Sequence, residues 1–355
     1  MSSPARIMYM GTPEFAVPAL DALARLGADG GTSAAKLVSV VTQPDRPRGR
    51  GHRLVPSPVK ARAMELGLPV FQPESLKGDA EWEKTLADAA PDLIVVCAYG
   101  RILPVETLHT PRLGCVNIHA SLLPKYRGAA PIHRAVESGE RETGVTLMYM
   151  SEGLDEGDMI AARAMPILGM DTGEVSGALS SLGAELLMGE LDRIITGTAV
   201  REPQASAAAT YAPPVQRGEG HIDFSADAAS VCRKVLAMTP SPGAFAFLDG
   251  EKLRVWQAEV GSPECRESYS NNGKFSKPSD CEVSQEAPDC EAAHEAPGSH
   301  PAPGTVTGTD GGAVTVATGS GGSVRLTKLQ SPGGKAMAAA DWLRGHSIED
   351  GTVFA

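Results

Sequence analysis

Apolar runs alternate with helix-period segments over the first 200 residues of the chain. A strand buried on both faces is predicted at 92–98, where the run at 93–97 is continuous and apolar. Ser57 is predicted to cap a helix that begins at Pro58. Further strands are predicted at 7–10, 36–43, 115–119 and 145–150, and helices at 14–26, 58–66, 80–89, 132–138 and 175–196. This alternation predicts an α/β fold with a doubly wound, mostly parallel sheet.

The pattern changes after about residue 198, and a chain of 355 residues favours two domains. A helix is predicted at 226–237, with short strands at 243–248, 252–260, 313–317 and 323–330. Such strands, with glycine-rich turns between the later ones, predict a small OB-like β-barrel. The expected organisation is a domain at 1–200, a linker at 201–214 and a second domain at 215–355. Segment 261–304 is rich in Ser, Glu and Pro, and it is expected to be a disordered surface insertion.

The composition, 42% hydrophobic and 21% charged, is that of a soluble globular protein. No apolar run is long enough to span a membrane, and a strand is predicted too soon after Met1 to leave room for a signal peptide. We therefore expect the cytoplasm of a bacterium. Six cysteines do not make a disulfide scaffold, and Cys265, Cys281 and Cys290 lack the close spacing of a zinc site.

The net charge of -11 argues against a nucleic-acid-binding protein when the chain is taken as a whole. The charge is unevenly distributed, however, since 262–299 carries eight acids and three bases. The segment 43–54 is the opposite, a predicted irregular loop kept from helix and strand by glycine and proline. Four arginines fall in that loop: Arg46, Arg48, Arg50 and Arg53. A solvated loop and a loop that contacts RNA phosphates are equally good interpretations of these residues alone.

Candidate catalytic groups follow the strand at 115–119. Asn117 and His119 are two positions apart, so their side chains share one face of the strand. They lie at its carboxyl end, where ligands bind in α/β sheets, as Tyr99 and Gly100 do on another strand. Asp155 follows the next predicted strand, in a glycine-rich loop. A structural histidine and an aspartate that only forms a turn remain alternatives.

Several motifs resemble a known family. The core motif of enzymes that use 10-formyltetrahydrofolate is similar to Asn117-Ile118-His119-Ala120-Ser121-Leu122-Leu123-Pro124, Tyr126-Arg127-Gly128 and Gly153-Leu154-Asp155-Glu156-Gly157-Asp158. Three further segments, at 11–16, 43–60 and 334–345, resemble the methionyl-tRNA formyltransferase family in particular. The resemblance covers the chain except 261–304.

The resemblance implies a Rossmann-like formyl-transfer domain and a C-terminal OB-like domain that binds tRNA. The implied reaction moves the formyl group of 10-formyltetrahydrofolate to the α-amino group of methionine on initiator methionyl-tRNA, for translation initiation. Its implied catalytic residues are Asn117, His119 and Asp155. The expected folate-binding residues are Tyr99, Gly100, Ser121, Leu122, Leu123 and Pro124. The expected tRNA-binding residues are Arg46, Arg48, Arg50 and Arg53. We expect a monomer that needs neither a metal nor a membrane.

Two alternatives remain open from the sequence. Formyltransferases acting on a glycinamide nucleotide or an amino sugar share the same three catalytic residue types. A small substrate would need neither the arginine-rich loop nor the second domain, which argues against this alternative. The other is a non-catalytic RNA-binding protein, for which an intact Asn/His/Asp set would serve no purpose.

Overall fold

The computed structural model describes five stretches of the chain: 3–26, 34–48, 53–261, 300–309 and 312–355. The chain divides into two compact units, Met1–Arg217 and Gly218–Ala355. Most of the insertion predicted at 261–304, namely residues 262–299, lies outside the described residues.

The first unit alternates strands and helices, as its hydrophobic pattern predicts. Its strands are β1 (Ala5–Gly11), β2 (Ala35–Val41), β3 (Arg46–Arg48), β4 (Arg53–Val55), β5 (Val70–Phe71), β6 (Leu93–Cys97), β7 (Cys115–His119), β8 (Arg127–Gly128), β9 (Glu142–Tyr149), β10 (Met159–Pro166) and β11 (Tyr211–Ala212). Its helices are α1 (Val17–Ala24), α2 (Pro58–Glu65), α3 (Ala80–Ala89), α4 (Val105–His109), α5 (Pro131–Glu137) and α6 (Thr172–Thr196).

Seven strands form the main sheet, in the order β10-β9-β7-β6-β1-β2-β5. The five strands from β7 to β5 are parallel, whereas β9 and β10 are antiparallel to their neighbours. The predicted α/β fold with a mostly parallel sheet is therefore confirmed. The carboxyl ends of β1, β6 and β7 meet at one edge of this sheet, which brings Gly11, Tyr99 and His119 to the same side.

Helices cover both faces of the sheet. On one face, a Cβ atom on Gly183 of α6 would lie 2.7 Å from Ile118 Cγ2, so α6 lies directly against β7. On the other face, Trp82 of α3 and Leu108 of α4 share a buried apolar cluster with Ile94 and Cys115. Because both faces are buried, β6 at the centre of the sheet is apolar throughout.

The sequence predicts a strand at 145–150 but misses its antiparallel partner β10. That partner is an edge strand of mostly partly or fully exposed residues, without the apolar pattern of a buried strand. Because β9 is antiparallel to β7, Tyr149 at its end lies beside Val116 and not beside His119. The loop after β9 must therefore turn back along the sheet to carry Asp155 toward His119.

The segment predicted as an irregular loop at 43–54 is more regular than its composition indicates. Strands β3 and β4 pair antiparallel, with Arg48 opposite Arg53. Pro47 is tolerated because each strand of a two-stranded ribbon has a free edge, where a missing N–H costs no ladder hydrogen bond. Residues 49–52, which connect the two strands in sequence and include Arg50, lie outside the described residues.

The segment predicted as a linker, 201–214, is hydrogen-bonded to the first unit. Glu202 pairs with Met159, and strand β11 pairs in parallel with β8. The chain therefore passes alongside the sheet edge that carries Asp155 before it enters the second unit.

The described part of the second unit is an antiparallel sheet with two helices. Its strands are β12 (Ala244–Leu248), β13 (Glu251–Val260), β14 (Val306–Gly308), β15 (Val314–Ala317), β16 (Ser323–Gln330) and β17 (Met337–Ala338), and its helices are α7 (Ala228–Met238) and α8 (Ala339–Leu343). The strand order is β12-β13-β16-β15-β14, with β17 also paired to β16. This curled antiparallel sheet is consistent with the predicted OB-like domain. Within the described ranges of both units, no helix is long and apolar enough to cross a membrane.

Candidate active site

Asn117 and His119 project from one face of β7. Side chains alternate along a strand, and Ile118 between them packs against α6, so both polar residues face away from that helix. The His119 ring is buried, whereas Asn117 is half-buried. The Asn117 amide has no hydrogen-bond partner among the described residues, so its N–H groups are available to a ligand.

The His119 ring lies between two oxygen atoms. Its Nε2 is 3.0 Å from the carbonyl oxygen of Tyr126. Because a carbonyl only accepts hydrogen bonds, this contact places a proton on Nε2. Its Nδ1 is 3.6 Å from Asp155 Oδ2, an ion-pair distance that is longer than a hydrogen bond. The predicted proximity of Asp155 to His119 is thus present, and Nδ1 is the ring nitrogen without a short protein contact.

Tyr126 supplies its carbonyl through an unusual backbone conformation. Its φ is 60°, in the left-handed region, where the carbonyl can turn toward His119. The Tyr126 hydroxyl donates to Glu140 at 2.8 Å, and burial raises the pKa of this phenol. The Tyr126 backbone N–H donates to Thr210 Oγ1 at 2.8 Å. Contacts on both sides of the residue therefore hold the carbonyl in place.

The Asp155 carboxylate contacts a backbone N–H as well as the His119 ring. Asp155 has φ 50°, again in the left-handed region, and its Oδ2 accepts the Gly128 N–H at 2.9 Å. Gly157 permits the close return of this loop, because a Cβ atom there would lie 1.9 Å from the Tyr149 carbonyl oxygen. The same oxygen of Asp155 therefore faces both a fixed N–H donor and the His119 ring.

The turn at 121–124 is built from buried backbone contacts. The Ser121 hydroxyl donates to the Lys125 carbonyl at 2.6 Å, and Thr146 bridges the Ser121 carbonyl and the Leu123 N–H. Ser121 and Leu123 are buried, whereas Leu122 and Pro124 are half-buried. The side chains that can reach a ligand from this turn are therefore those of Leu122 and Pro124.

The Tyr99–Gly100 segment links the carboxyl end of β6 to the ribbon formed by β3 and β4, called here the arginine ribbon. Tyr99 is buried, which raises the pKa of its phenol, and its carbonyl accepts from Thr12 Oγ1 at 3.0 Å and Gln43 Nε2 at 2.8 Å. Gly100 has φ 82°, and a Cβ atom there would lie 2.6 Å from Gln43 Nε2. Gln43 in turn accepts from Arg46 Nη2 at 3.0 Å. Hydrogen bonds thus connect Tyr99 with Arg46, the first arginine of the ribbon.

The base of the ribbon is held by a second group of polar side chains. Lys60 Nζ lies 2.7 Å from Asp45 Oδ2 and 2.6 Å from Gln72 Oε1, and Gln72 Nε2 donates to Asp45 Oδ1 at 2.8 Å. The Lys60 ammonium, followed by the Gln72 amide, lowers the pKa of Asp45. Lys60 lies on α2, so this group ties the start of the ribbon to the body of the first unit.

Thiol chemistry is absent from the described site. Burial raises the pKa of both Cys97 and Cys115 to about 12, so neither carries a thiolate near neutral pH. Both cysteines are buried core residues. Among the described ranges, no three His, Cys, Asp or Glu side chains are grouped as metal ligands.

Comparison with known proteins gives the family. A formyl transferase family model matches residues 5–188, and a model of the formyl transferase C-terminal domain matches residues 214–347. A methionyl-tRNA formyltransferase from Aromatoleum aromaticum is 42% identical over 99% of this chain and 98% of its own. The chain belongs to the methionyl-tRNA formyltransferase family. Another member, from Pelotomaculum thermopropionicum, is 42% identical over 98% of each chain. The resemblance seen in the sequence motifs is therefore confirmed, and the chain is a one-carbon group transferase.

Solved structures share the fold of this methionyl-tRNA formyltransferase family member at lower identity. HypX from Aquifex aeolicus, in complex with tetrahydrofolic acid, matches 99% of the chain with a TM-score of 0.57 and 18% identity. The chain spans about half the length of HypX, 51%. An N-formyltransferase from Helicobacter canadensis, in complex with folinic acid and dTDP-3-aminofucose, matches 91% of the chain with a TM-score of 0.57 and 16% identity. At these identities the likeness supports the fold alone.

The structure brings some of the sequence-predicted residues together and leaves others undescribed. His119 and Asp155 are adjacent, and Asn117 shares the face of His119. Of the four arginines, Arg46 has a described side chain, which is exposed. Arg48 and Arg53 are described in their backbone alone, and Arg50 lies outside the described residues.

Sequence reasoning missed the residues that hold the Asp155 loop in this methionyl-tRNA formyltransferase family member. Gln204 donates from Nε2 to the carbonyl oxygens of Asp155 at 2.9 Å and Gly157 at 2.8 Å. Its Oε1 accepts from Arg127 Nε at 3.0 Å and Nη2 at 2.8 Å. Gln204 lies in the segment predicted as a linker, and no periodicity or spacing marks it.

Proposed function

We propose that this protein transfers the formyl group of 10-formyltetrahydrofolate to the α-amino group of methionine on initiator methionyl-tRNA. The product, N-formylmethionyl-tRNA, would serve translation initiation. Family membership over nearly the whole chain supports the reaction class. The observation that carries the proposal is the His119 ring held between Asp155 and the Tyr126 carbonyl, with the unpartnered Asn117 amide on the same strand face.

The proposed reaction begins when the free amine of methionine attacks the formyl carbon. A carbon–nitrogen bond forms to the amine, and an oxyanion develops on the formyl oxygen. Asn117 is proposed to donate a hydrogen bond to this oxyanion, since its amide is free to do so. One preorganised donor of this kind typically lowers the barrier by about 3 kcal/mol.

His119 is proposed to act through Nδ1. Its Nε2 is engaged by the Tyr126 carbonyl, which leaves Nδ1 as the ring nitrogen able to face the reacting group. The Asp155 carboxylate lies 3.6 Å from that nitrogen and is proposed to orient a ring that carries a proton there. His119 would then donate to the oxyanion beside Asn117.

Asp155 is also proposed to transfer a proton during the reaction. The attacking amine loses a proton, and the N10 nitrogen of the folate must gain one as its bond to the formyl carbon breaks. A carboxylate at this position can relay that proton directly or through one water. The two products are tetrahydrofolate and the formylated amine, and no atom changes oxidation state.

The folate is proposed to bind along the loops that flank His119. The proposed contacts are Tyr99, Gly100, Ser121, Leu122, Leu123 and Pro124. Ile102 and Leu154, large apolar residues of the flanking loops, are 86% and 53% exposed, which would suit one wall of a site for an aromatic ring. Because Ser121, Leu123 and Tyr99 are buried, we propose that they shape the backbone and that Leu122 and Pro124 contact the ligand.

The tRNA is proposed to bind through the arginine ribbon and the second unit. Arg46, Arg48, Arg50 and Arg53 concentrate positive charge on an otherwise acidic chain, which favours contact with phosphates. The domain boundaries proposed are 1–200 and 215–355, with 201–214 between them. We further propose a monomer in the bacterial cytoplasm.

An acceptor panel tests the proposal. The purified protein and 10-formyltetrahydrofolate are incubated separately with methionyl initiator tRNA, glycinamide ribonucleotide and a nucleotide-linked amino sugar, and formylated product is measured. Formylation of the tRNA is expected. Formylation of a small acceptor without the tRNA would favour the first alternative enzyme class. Binding of tRNA without formylation of any acceptor would favour a non-catalytic RNA-binding protein.

A further inference from the structure

The Asp155 loop has an unfavourable shape that needs support from elsewhere in the chain. It leaves β9 beside Val116 and must return toward His119. Asp155 itself has φ 50°, a left-handed conformation that is disfavoured for residues with a side chain, although less so for Asp than for most. Its carboxylate has two contacts among the described residues, an ion-pair contact with His119 and a hydrogen bond from the Gly128 N–H. The loop alone therefore does not determine where the carboxylate lies.

We infer that Gln204 is a positioning residue that holds Asp155 in place for formyl transfer. Its amide nitrogen donates both hydrogens into the loop, to the carbonyl oxygens of Asp155 and Gly157. Its amide oxygen accepts two hydrogens from the Arg127 guanidinium. A half-buried amide that makes four hydrogen bonds has one orientation, so Gln204 fixes the loop relative to Arg127.

Arg127 connects Gln204 with the other side of the His119 ring. It lies between Tyr126, whose carbonyl accepts from His119, and Gly128, whose N–H donates to Asp155. The Arg127 backbone N–H donates to the Thr210 carbonyl at 2.8 Å. Gln204 therefore connects the Asp155 segment, which contacts Nδ1 of the His119 ring, with the Tyr126 segment, which contacts Nε2.

The same stretch of chain supports both segments. Strand β11 pairs with Arg127–Gly128, and the Ala130 N–H donates to the Ala212 carbonyl. A Cβ atom on Gly128 would lie 2.7 Å from that same carbonyl oxygen, so β11 and β8 are in close contact. Gln204 and residues 210–212 thus hold the Tyr126 and Asp155 segments together, with Gln204 as the contact to the catalytic loop.

This inference rests on the proposed function, because its readout is formyl transfer. The test compares Gln204→Leu, which removes all four hydrogen bonds, with Gln204→Glu, which keeps an acceptor for Arg127 but removes both donors. Each should lower kcat by about 10- to 100-fold, because displacement of a catalytic group by about 1 Å is enough for such a loss. The KM values for 10-formyltetrahydrofolate and methionyl-tRNA should stay within about 3-fold of wild type, since Gln204 is not among the residues proposed to contact either substrate.

A double-mutant cycle with Asp155→Asn separates positioning from general stabilisation. If Gln204 acts through Asp155, the variant carrying both Gln204→Leu and Asp155→Asn should be no slower than Asp155→Asn alone. Ser206→Leu is the matched control, because Ser206 is an exposed residue of the same segment and its change should leave kcat unaltered. Thermal unfolding of each variant shows whether it is folded at the assay temperature.

The outcomes are distinct. The inference is supported if both Gln204 variants lose kcat and if adding Gln204→Leu to Asp155→Asn causes no further loss. An unchanged kcat in folded Gln204→Glu, a loss that multiplies with that of Asp155→Asn, or a change in KM alone would overturn it. If Gln204→Leu does not fold, Gln204→Glu decides. A wild-type protein that forms no formylated tRNA would overturn the proposed function itself, whereas active wild type with equally active variants would overturn this inference alone.

Discussion

Asp155 Oδ2 lies 3.6 Å from Nδ1 of His119, although the strand that precedes Asp155 ends beside the start of β7. The pair exists because the loop after β9 doubles back and is held there by Gly128 and Gln204. The chemistry proposed for the site therefore depends on a loop conformation as much as on the two side chains.

The first prediction concerns the His119 ring. His119→Ala should lower turnover by about 100-fold or more, because it removes the proposed donor to the oxyanion and the partner of Asp155. Folate binding, measured by equilibrium titration, should change little. His109→Ala is the matched control, since His109 is an exposed residue at the end of α4. Equal turnover in His119→Ala and wild type would exclude the proposed role.

The second prediction concerns the arginine ribbon. Arg50→Ala should raise the KM for methionyl-tRNA and leave that for 10-formyltetrahydrofolate unchanged, because a phosphate contact is lost. The difference in this KM between variant and wild type should shrink as salt is added. The slope of log affinity against log salt concentration should be smaller in magnitude for the variant, by about one. Arg163→Ala serves as control, since Arg163 is a half-exposed residue of the edge strand β10. A change confined to the folate constant would contradict the assignment.

The third prediction concerns the helix that anchors the ribbon. The Ser57 hydroxyl accepts the Lys60 N–H at 3.0 Å and lies 2.7 Å from the Thr42 hydroxyl, so Ser57 is the N-cap of α2 that the sequence predicts. Ser57→Ala should lower the free energy of unfolding by about 1 kcal/mol, as measured by urea denaturation. Ser75→Ala should have a smaller effect, since its exposed hydroxyl makes one long contact of 3.3 Å. Equal stability of Ser57→Ala and wild type would show that the cap is unimportant.

The fourth prediction is a pH dependence of stability at Asp92. The Arg6 backbone N–H, with a smaller contribution from the Arg112 side chain, lowers the pKa of this carboxyl below its ordinary value of 3.8. A lowered pKa in the folded state means that the stabilisation is complete above the unfolded-state pKa and is lost as the pH falls through the folded-state pKa.

Asp92→Asn should therefore destabilise the protein by about 1–2 kcal/mol at pH 7, and the difference from wild type should shrink below about pH 4. Urea denaturation at several pH values measures this. Asp88→Asn is the control, because Asp88 is exposed on α3 and its change should give no such trend. A difference that grows toward low pH would contradict the sign of the argument.

Much of the fold was predictable because the buried strands carry continuous apolar runs. The helix at 80–89 occurs with the predicted bounds, and the strand predicted at 92–98 occurs as 93–97, which is its continuous apolar run. The edge strand β10 was not predictable in the same way, since it is largely exposed and three of its eight residues are alanine. The ribbon β3–β4 was missed because proline and glycine disfavour strands in general, yet Pro47 is acceptable on a strand with a free edge.

The candidate site was predictable where it follows strand geometry and not where it depends on loops. The shared face of Asn117 and His119 follows from alternation along β7. The contact with the Tyr126 carbonyl depends on a positive φ that no sequence pattern reveals. Gln204 could not be identified, because its role depends on a return of the chain to the sheet edge after α6.

The most direct test is single-turnover formyl transfer from 10-formyltetrahydrofolate to methionyl initiator tRNA, followed in wild type and in Asp155→Asn. We predict that wild type forms N-formylmethionyl-tRNA and that Asp155→Asn does so more slowly by about 100-fold or more, with folate binding nearly unchanged. Equal rates in the two proteins, or no formylated tRNA from wild type, would contradict the proposal that His119 and Asp155 catalyse this reaction.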